Sequence, residues 1–287
     1  MGYRIGGIWR YPVKSMLGET LDEAVVGVAG IEGDRAFAII DAEDGKVASA
    51  KHPRKWGSLL AFRARTLAPG LIEITLPDAT TVRSDDPAVD EVLSAGLGRA
   101  VRLASVPPAG GVFEEVWPDI EGLAPEEMIT GTNIGTEESG ERISQFGVAM
   151  AAPAGTFFDV APLHLVTTAT LARLSELNPA ARFDVRRYRP NFLIDADGAP
   201  AFPEDDWAGH SLVGSSGVGM KVTMPTMRCV MTTLAQEDLP DDRGTLRTVA
   251  THNRIEIPGL GTWACAGAYA DVVGEGRLAV GQELELT

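Results

Sequence analysis

The chain is short of cysteine, histidine and positive charge, and each shortage removes a class of function. Only two cysteines, Cys229 and Cys265, stand in 287 residues. Two thiols cannot frame a disulfide-built fold. The four histidines are scattered and neither CxxC nor HExxH occurs, so the common protein-only zinc sites lack ligands. Lys and Arg number 25 against 40 Asp and Glu, a formal charge of −15. That balance opposes nucleic acid and anionic membranes as general partners, because phosphate backbones attract basic surfaces. No apolar run approaches the roughly 20 residues of a membrane span, and the first residues lack the apolar region of a signal peptide. A cytoplasmic protein with reduced thiols is the expectation. Phosphate-loop and nucleophile-elbow motifs are also missing, and VGSSGVG (Val213–Gly219) fits a hairpin turn better than a dinucleotide loop.

What is present is a 45% hydrophobic chain long enough for a large core. Its first hundred residues read as short strands and turns: Tyr3–Tyr11, Ala24–Ala29, a hairpin around Asp41–Gly45, and another pairing Leu71–Leu76 with Thr80–Arg83. Pro87–Leu97 reads as a helix with glycines at its end. Residues 107–155 are acidic, begin with PPAGG, close with AAPAG, and lack a long apolar period; they read as a linker or long surface insertion, with an ordered loop packed over a domain interface as the alternative. Beyond them, Leu171, Leu174 and Leu177 mark a helix capped by Thr168 or Thr170. Short strands follow at Phe192–Ile194, Ser211–Val213, Gly219–Met224, Thr262–Val273 and Leu278–Leu286, with a helix at Thr245–His252. The pattern predicts a β-rich α+β fold of two β-barrel-like parts with a few short helices. The division is 1–106, the acidic stretch 107–155, and 156–287.

Against the acidic background, four clusters carry cations: YPVKS with Lys14, EGDR with Arg35, RRYRPN with Arg189, and TMRC with Arg228. Singly, such residues are solvated charges. Convergent, they would make a local site for an anion, with bidentate contacts from arginine. Arg228 directly precedes Cys229, and a neighbouring guanidinium favours the thiolate, which is both nucleophile and metal ligand. His164, inside an apolar run, reads as a satisfied buried histidine.

These motifs resemble those of the two-part MOSC proteins, named after the C-terminal domain of molybdenum cofactor sulfurase. YPVKS (Tyr11–Ser15) and GDR (Gly33–Arg35) are similar to the N-terminal β-barrel part. LVTTATL (Leu165–Leu171), RYRPNFLID (Arg187–Asp195), EDDW (Glu204–Trp207) and MRCVMTT (Met227–Thr233) are similar to the MOSC domain. The resemblance extends to the mitochondrial amidoxime reducing component and bacterial relatives. It implies a molybdenum–pterin cofactor with Cys229 as metal ligand and catalytic residue. Lys14, Ser15, Arg35, Thr167, Arg189, Asn191, Thr226, Met227 and Arg228 would bind that cofactor. It further implies an oxidoreductase that reduces small N-hydroxylated substrates with electrons from a separate donor protein, since the chain carries no ferredoxin-like cysteines. A non-enzymatic cofactor carrier and a sulfur-carrying accessory are the alternatives. By the same analogy SAKHPRKWGSL (Ser49–Leu59) offers Lys51, His52 and Arg54 to the substrate, although surface solvation is the better explanation of such charges.

Overall fold

The computed structural model describes residues 2–149, 152, 153 and 155–287; Met150, Ala151 and Ala154, at the close of the acidic stretch, lie outside the described residues. A closed barrel of seven strands forms its centre: β1 (Tyr3–Arg10), β2 (Leu163–Thr167), β3 (Phe192–Asp195), β4 (Ser211–Val213), β5 (Gly219–Met227), β6 (Gly261–Val273) and β7 (Glu283–Leu286). The order around it is β2-β3-β1-β7-β4-β5-β6, and β6 pairs back onto β2. Closure leaves no open edge among these strands. Only β2 and β3 run parallel, which demands a crossover. The helices Thr168–Leu177 and Val185–Tyr188 lie in that crossover.

Barrel closure draws on both ends of the chain. β1 pairs with β3 and β7, so the first strand and the last are neighbours. Their inward residues, among them Ile5, Ile8, Leu165, Phe192, Ile194, Met220 and Val222, form one buried cluster. Each such side chain contributes about 1.5–3 kcal/mol by leaving water. The strand expected over Leu278–Leu286 breaks at Gly281, whose φ of +85° suits glycine. Its first half, Gly276–Ala279, pairs with Glu23–Gly27, and its second half becomes β7.

The remaining N-terminal residues pack a second core that includes Val13, Met16, Ile39, Trp56, Phe62, Ile72, Ile74 and Leu93. The hairpin of Leu71–Thr75 with Thr81–Arg83 is present, and the helix Val89–Leu97 ends at Gly98 in the left-handed conformation. The hairpin expected around Asp41–Gly45 is present as a short turn: Asp41 N donates to Lys46 O at 2.9 Å and Ala48 N to Ile39 O at 2.8 Å, about an antiparallel bridge between Ile40 and Val47. On its other edge Ala38–Asp41 runs beside Val101–Ala104. All four residues Ala38–Asp41 are buried, so the strand is partnered on both sides.

The acidic stretch is ordered in its described part. Val112–Trp117 pairs with Arg142–Gly147, which pairs with Asn133–Thr136, and the helix Glu126–Thr132 packs beside them. Its carboxylates dock onto the basic segment of the N-terminal half: Glu114 on Lys55 (2.7 Å), Glu115 on Lys51 (3.1 Å) and Glu137 on Arg54 (3.0 Å). Backbone bonds fix the same contact, Val116 N donating to Lys51 O at 2.8 Å and Val47 N to Val112 O at 2.9 Å. Trp117, Leu123 and Ile129 join the core of the C-terminal helices, whereas Phe113 joins Ile40, Val47 and Phe157. No helix among the described residues is long and apolar enough to cross a membrane.

Candidate functional site

Four distant segments converge beside the barrel. They are the turns after β1 carrying Lys14, Ser15 and Arg35, the approach to β2 carrying Phe157–Ala161, the end of the crossover carrying Tyr188, Arg189 and Asn191, and the end of β5 carrying Thr226–Cys229. Together they line a cleft of about 130 Å³. Lys14, Ser15, Arg35, Asn191, Arg189, Thr226, Met227, Arg228 and Cys229 all reach it. Thr167 does not: it caps the helix Thr168–Leu177, its hydroxyl accepting from Thr170 N at 3.0 Å and donating to Glu204 Oε2 at 2.7 Å. At the end of β2 it therefore serves the crossover.

Local backbone throws the cations inward. Ser15 (φ +66°), Arg35 (φ +47°) and Arg189 (φ +52°) all sit in the left-handed region. A residue with a Cβ pays about 1–2 kcal/mol there, and such strain gathers where a turn must present a side chain. Arg189 ends the helix Val185–Tyr188 in this conformation, just before Pro190. The Arg35 and Arg189 guanidinium groups both lie over the Tyr11 ring, at 4.4 and 4.3 Å, and Arg35 Nη2 donates to Arg189 O at 3.3 Å. Asp34 pairs with Arg35 and accepts from Tyr11 N at 2.7 Å. Asn191 ties this turn to the barrel: its Nδ2 donates to Asp34 at 2.9 Å and its Oδ1 accepts from His164 N at 3.1 Å. Its amide is thus committed to positioning.

The lining holds six Lys or Arg and one carboxylate, Asp159. Asp159 pairs with Lys14 and, at 3.3 Å, with Lys51. Burial pushes its carboxyl up, but the two ammonium groups outweigh this and hold it well below the carboxylate range. Burial lowers Lys14 despite Asp159. Arg187 spends its guanidinium on the carbonyls of Arg182, Thr232, Leu234 and Pro240, and so braces the fold. Arg189 is different. Burial lowers it to about 10, and among the described residues its Nη1 has no partner, nor does the buried Thr226 hydroxyl in the same lining. Unpaired buried donors are costly, and an anion in the cleft would satisfy them.

The expectation that Arg228 activates Cys229 is not met. The Arg228 side chain turns away: Nε donates to Ala266 O at 2.7 Å, Nη1 to Tyr188 O at 3.2 Å, and Nη2 to His164 Nε2 at 2.6 Å. Gly267 admits this arrangement, since a Cβ there would stand 2.4 Å from Leu165 O and 3.0 Å from Arg228 Nη2. Burial pushes the Cys229 thiol up to about 11, with Lys51 countering. His164 is neutral, held well below its usual range by burial and by Arg228. With Nε2 accepting from Arg228, its Nδ1 carries the proton toward Arg189 O, 3.4 Å away. A buried histidine is thus the hinge between two site arginines.

Cys229 also lines a second cavity, of about 290 Å³, that opens beside the first. Lys51, Asp159, Met227, Arg228 and Tyr269 are shared between the two. Of the segment expected to face substrate, Lys51 is in both linings. His52 is buried, with Nε2 3.1 Å from Glu137 but neither ring nitrogen in a hydrogen bond among the described residues; Arg54 is exposed and held on Glu137. Sequence reasoning missed Asp159, Tyr188 and Tyr269; a lysine cluster in need of a counter-charge was the one signal for Asp159. Cys265 is fully buried on β6 and both thiols are free.

Two family models match this chain: the MOSC N-terminal beta barrel domain over residues 2–93 and the MOSC domain over residues 153–285. No curated protein matches. The solved structure of the YUAD protein from Bacillus subtilis is similar over 100% of this chain and 96% of that one, at 11% identity and a TM-score of 0.46, too remote to bear on the site. The MOSC domain is associated with molybdenum cofactor binding. With one model on each side of the acidic stretch, the chain belongs to the two-part MOSC proteins.

Proposed function

We propose that the cleft holds a phosphorylated molybdenum–pterin cofactor with Cys229 on the metal, and that the protein reduces N-hydroxylated compounds such as amidoximes or hydroxylamines, drawing electrons from a separate protein. The observation that carries this reading is the place of Cys229, the one side chain with a soft sulfur donor common to a cationic cleft and an adjoining apolar cavity, apart from Met227. A thiolate suits a thiophilic metal. Among the described residues no group of three or more His, Cys, Asp or Glu could hold a metal, so the other donors would come from the pterin.

The residues present fit such a group. Arg189 Nη1 and Thr226 Oγ1 have no partner among the described residues, and Lys14, Arg35 and Arg189 supply the charge a terminal phosphate needs. When bound, the cofactor supplies a metal centre that shuttles between oxidation states two electrons apart. The chain does the rest. Arg35 and Arg189 would hold the phosphate end, with Asn191 and His164 fixing their turns. Cys229 would give up its proton on metal binding, as a ligand thiol must. The overall reaction breaks the N–O bond, consumes two electrons and two protons, and releases water and the reduced nitrogen compound. A sulfur-carrying role for Cys265 is opposed by its burial among Trp117, Leu246 and Trp263.

The test is amidoxime reduction by the cofactor-loaded protein with a reduced viologen as electron donor. Turnover by the wild type and none by Cys229→Ala is expected. Equal rates in the two, with molybdenum bound in both, would remove Cys229 from the chemistry.

A further inference from the structure

Resting on that reading, we infer that the acidic segment 107–155 builds the pocket for the substrate's body, and that the body is a neutral aromatic or compact apolar group of one to two rings. The cavity beside Cys229 takes six of its sixteen lining residues from this segment: Phe113, Glu115, Trp117, Met128, Phe146 and Gly147. None of these six lies within either family match, which end at residue 93 and resume at 153. The cofactor cleft is lined by residues within the two family matches, whereas six residues of the second cavity's wall lie between them.

The wall is aromatic and pre-packed. Trp117 stands 6.0 Å from Trp263 and 6.4 Å from Phe146, ring centre to ring centre, and Phe146 stands 6.0 Å from Phe113. Rings at such separations favour edge and offset contacts, which a further flat ring extends. Size follows from volume. A dry cavity of about 150 Å³ already takes benzene, so the 290 Å³ here suits roughly one to two rings. Four charged side chains, Lys51, Glu115, Asp159 and Arg228, also line the cavity. Lys51 Nζ binds Glu115 at 3.1 Å and Asp159 at 3.3 Å, and the same ammonium lies 5.1 Å from the Phe113 ring centre. The lysine is already matched by two carboxylates, so a charged body gains no partner, whereas an N-hydroxylated head could donate to a carboxylate beside Cys229. An apolar body with one small polar head is the shape this pocket complements.

The experiment compares benzamidoxime with acetamidoxime, which share a head and differ in the body. Two variants keep clear of the cofactor cleft: Phe146→Ala enlarges the pocket and Met128→Trp fills it. For each, molybdenum content is measured, KM and kcat are separated for both substrates, and benzamidoxime binding to the cofactor-free protein is read by calorimetry. The expected result is a KM for benzamidoxime raised about tenfold or more, the size of a lost hydrophobic contact, with kcat/KM for acetamidoxime within about twofold. Calorimetric binding should weaken in parallel. Unchanged KM and unchanged binding in both variants, with metal and acetamidoxime turnover intact, would overturn the pocket assignment and leave the reductase reading standing. Ring binding lost in the variants of a protein that reduces neither compound would uphold the pocket and sink the reductase reading.

Discussion

The two cavities that meet at Cys229 are built by opposite means. The cationic cleft comes from turns at the ends of barrel strands, with three left-handed residues and a set of interlocked side chains. The apolar pocket comes in part from the sheet of Val112–Trp117 and Arg142–Gly147, held to the basic segment of the N-terminal half by ion pairs and to the C-terminal half by a shared aromatic core. In the first, backbone strain aims charge at a ligand; in the second, hydrophobic packing shapes a space. On the proposed reading, binding the cofactor and choosing the substrate would be separable, with the shared lining, Cys229 and Lys51 among it, as their common ground.

The sharpest way to break the comparison is Cys229→Ser, which strikes both sides at once. Turnover of benzamidoxime and acetamidoxime should fall by at least about 100-fold together; a loss confined to one substrate would show that the thiol belongs to one cavity only. Next is Arg189→Ala, which removes a charged donor from the cleft alone. Cofactor should dissociate roughly 10- to 100-fold faster, as for a lost charge-assisted bond, and the ratio of KM values for the two substrates should not move. Arg189→Lys should restore little, lacking the planar fork.

Gly267→Ala tests the backbone beneath Arg228. A Cβ there meets Leu165 O at 2.4 Å in a residue with φ of +82°, so stability should drop by about 2 kcal/mol and Tm by roughly 4–8 °C. A melting curve identical to that of the wild type would mean the strand relaxes freely.

Thiol chemistry separates the two cysteines. With its thiol pushed up to about 11 by burial, Cys229 in the cofactor-free protein should react with iodoacetamide slowly at pH 7, and the rate should climb roughly tenfold per pH unit toward that value. Cys265, pushed to about 12 and fully enclosed, should stay unmodified until the protein unfolds. Mass spectrometry of digests at several pH values distinguishes them. The smallest effect concerns the docking of the sheet. Half-molar salt screens partly exposed pairs such as Glu114–Lys55 and Glu137–Arg54, so the KM for benzamidoxime should rise about twofold while that for acetamidoxime holds.

The β-rich fold was legible because short alternating runs bounded by Gly, Pro and Asp dominate the sequence. Barrel closure was not, since pairing β1 with β7 joins residues about as far apart as the chain allows. The cation clusters pointed to an anion site through their scarcity in an acidic chain. Their support was hidden: Asp34, Asn191 and His164 hold the arginines through contacts that only the fold creates. Arg228 misled for the same reason, because adjacency in sequence fixes neither side-chain direction nor burial. The acidic stretch read as a linker since its charges masked Phe113, Trp117, Ile129 and Phe146, too widely spaced to make a periodic pattern yet brought together by its sheet and helix.

The most direct test is molybdenum by elemental analysis together with pterin by fluorescence, on wild type and Cys229→Ala purified from a host that makes the cofactor. Near-stoichiometric metal and pterin in the wild type, with the metal lost in the variant, is the predicted result. A folded wild type that carries neither would contradict the account, and the convergence of Lys14, Arg35 and Arg189 would then need another anion to explain it.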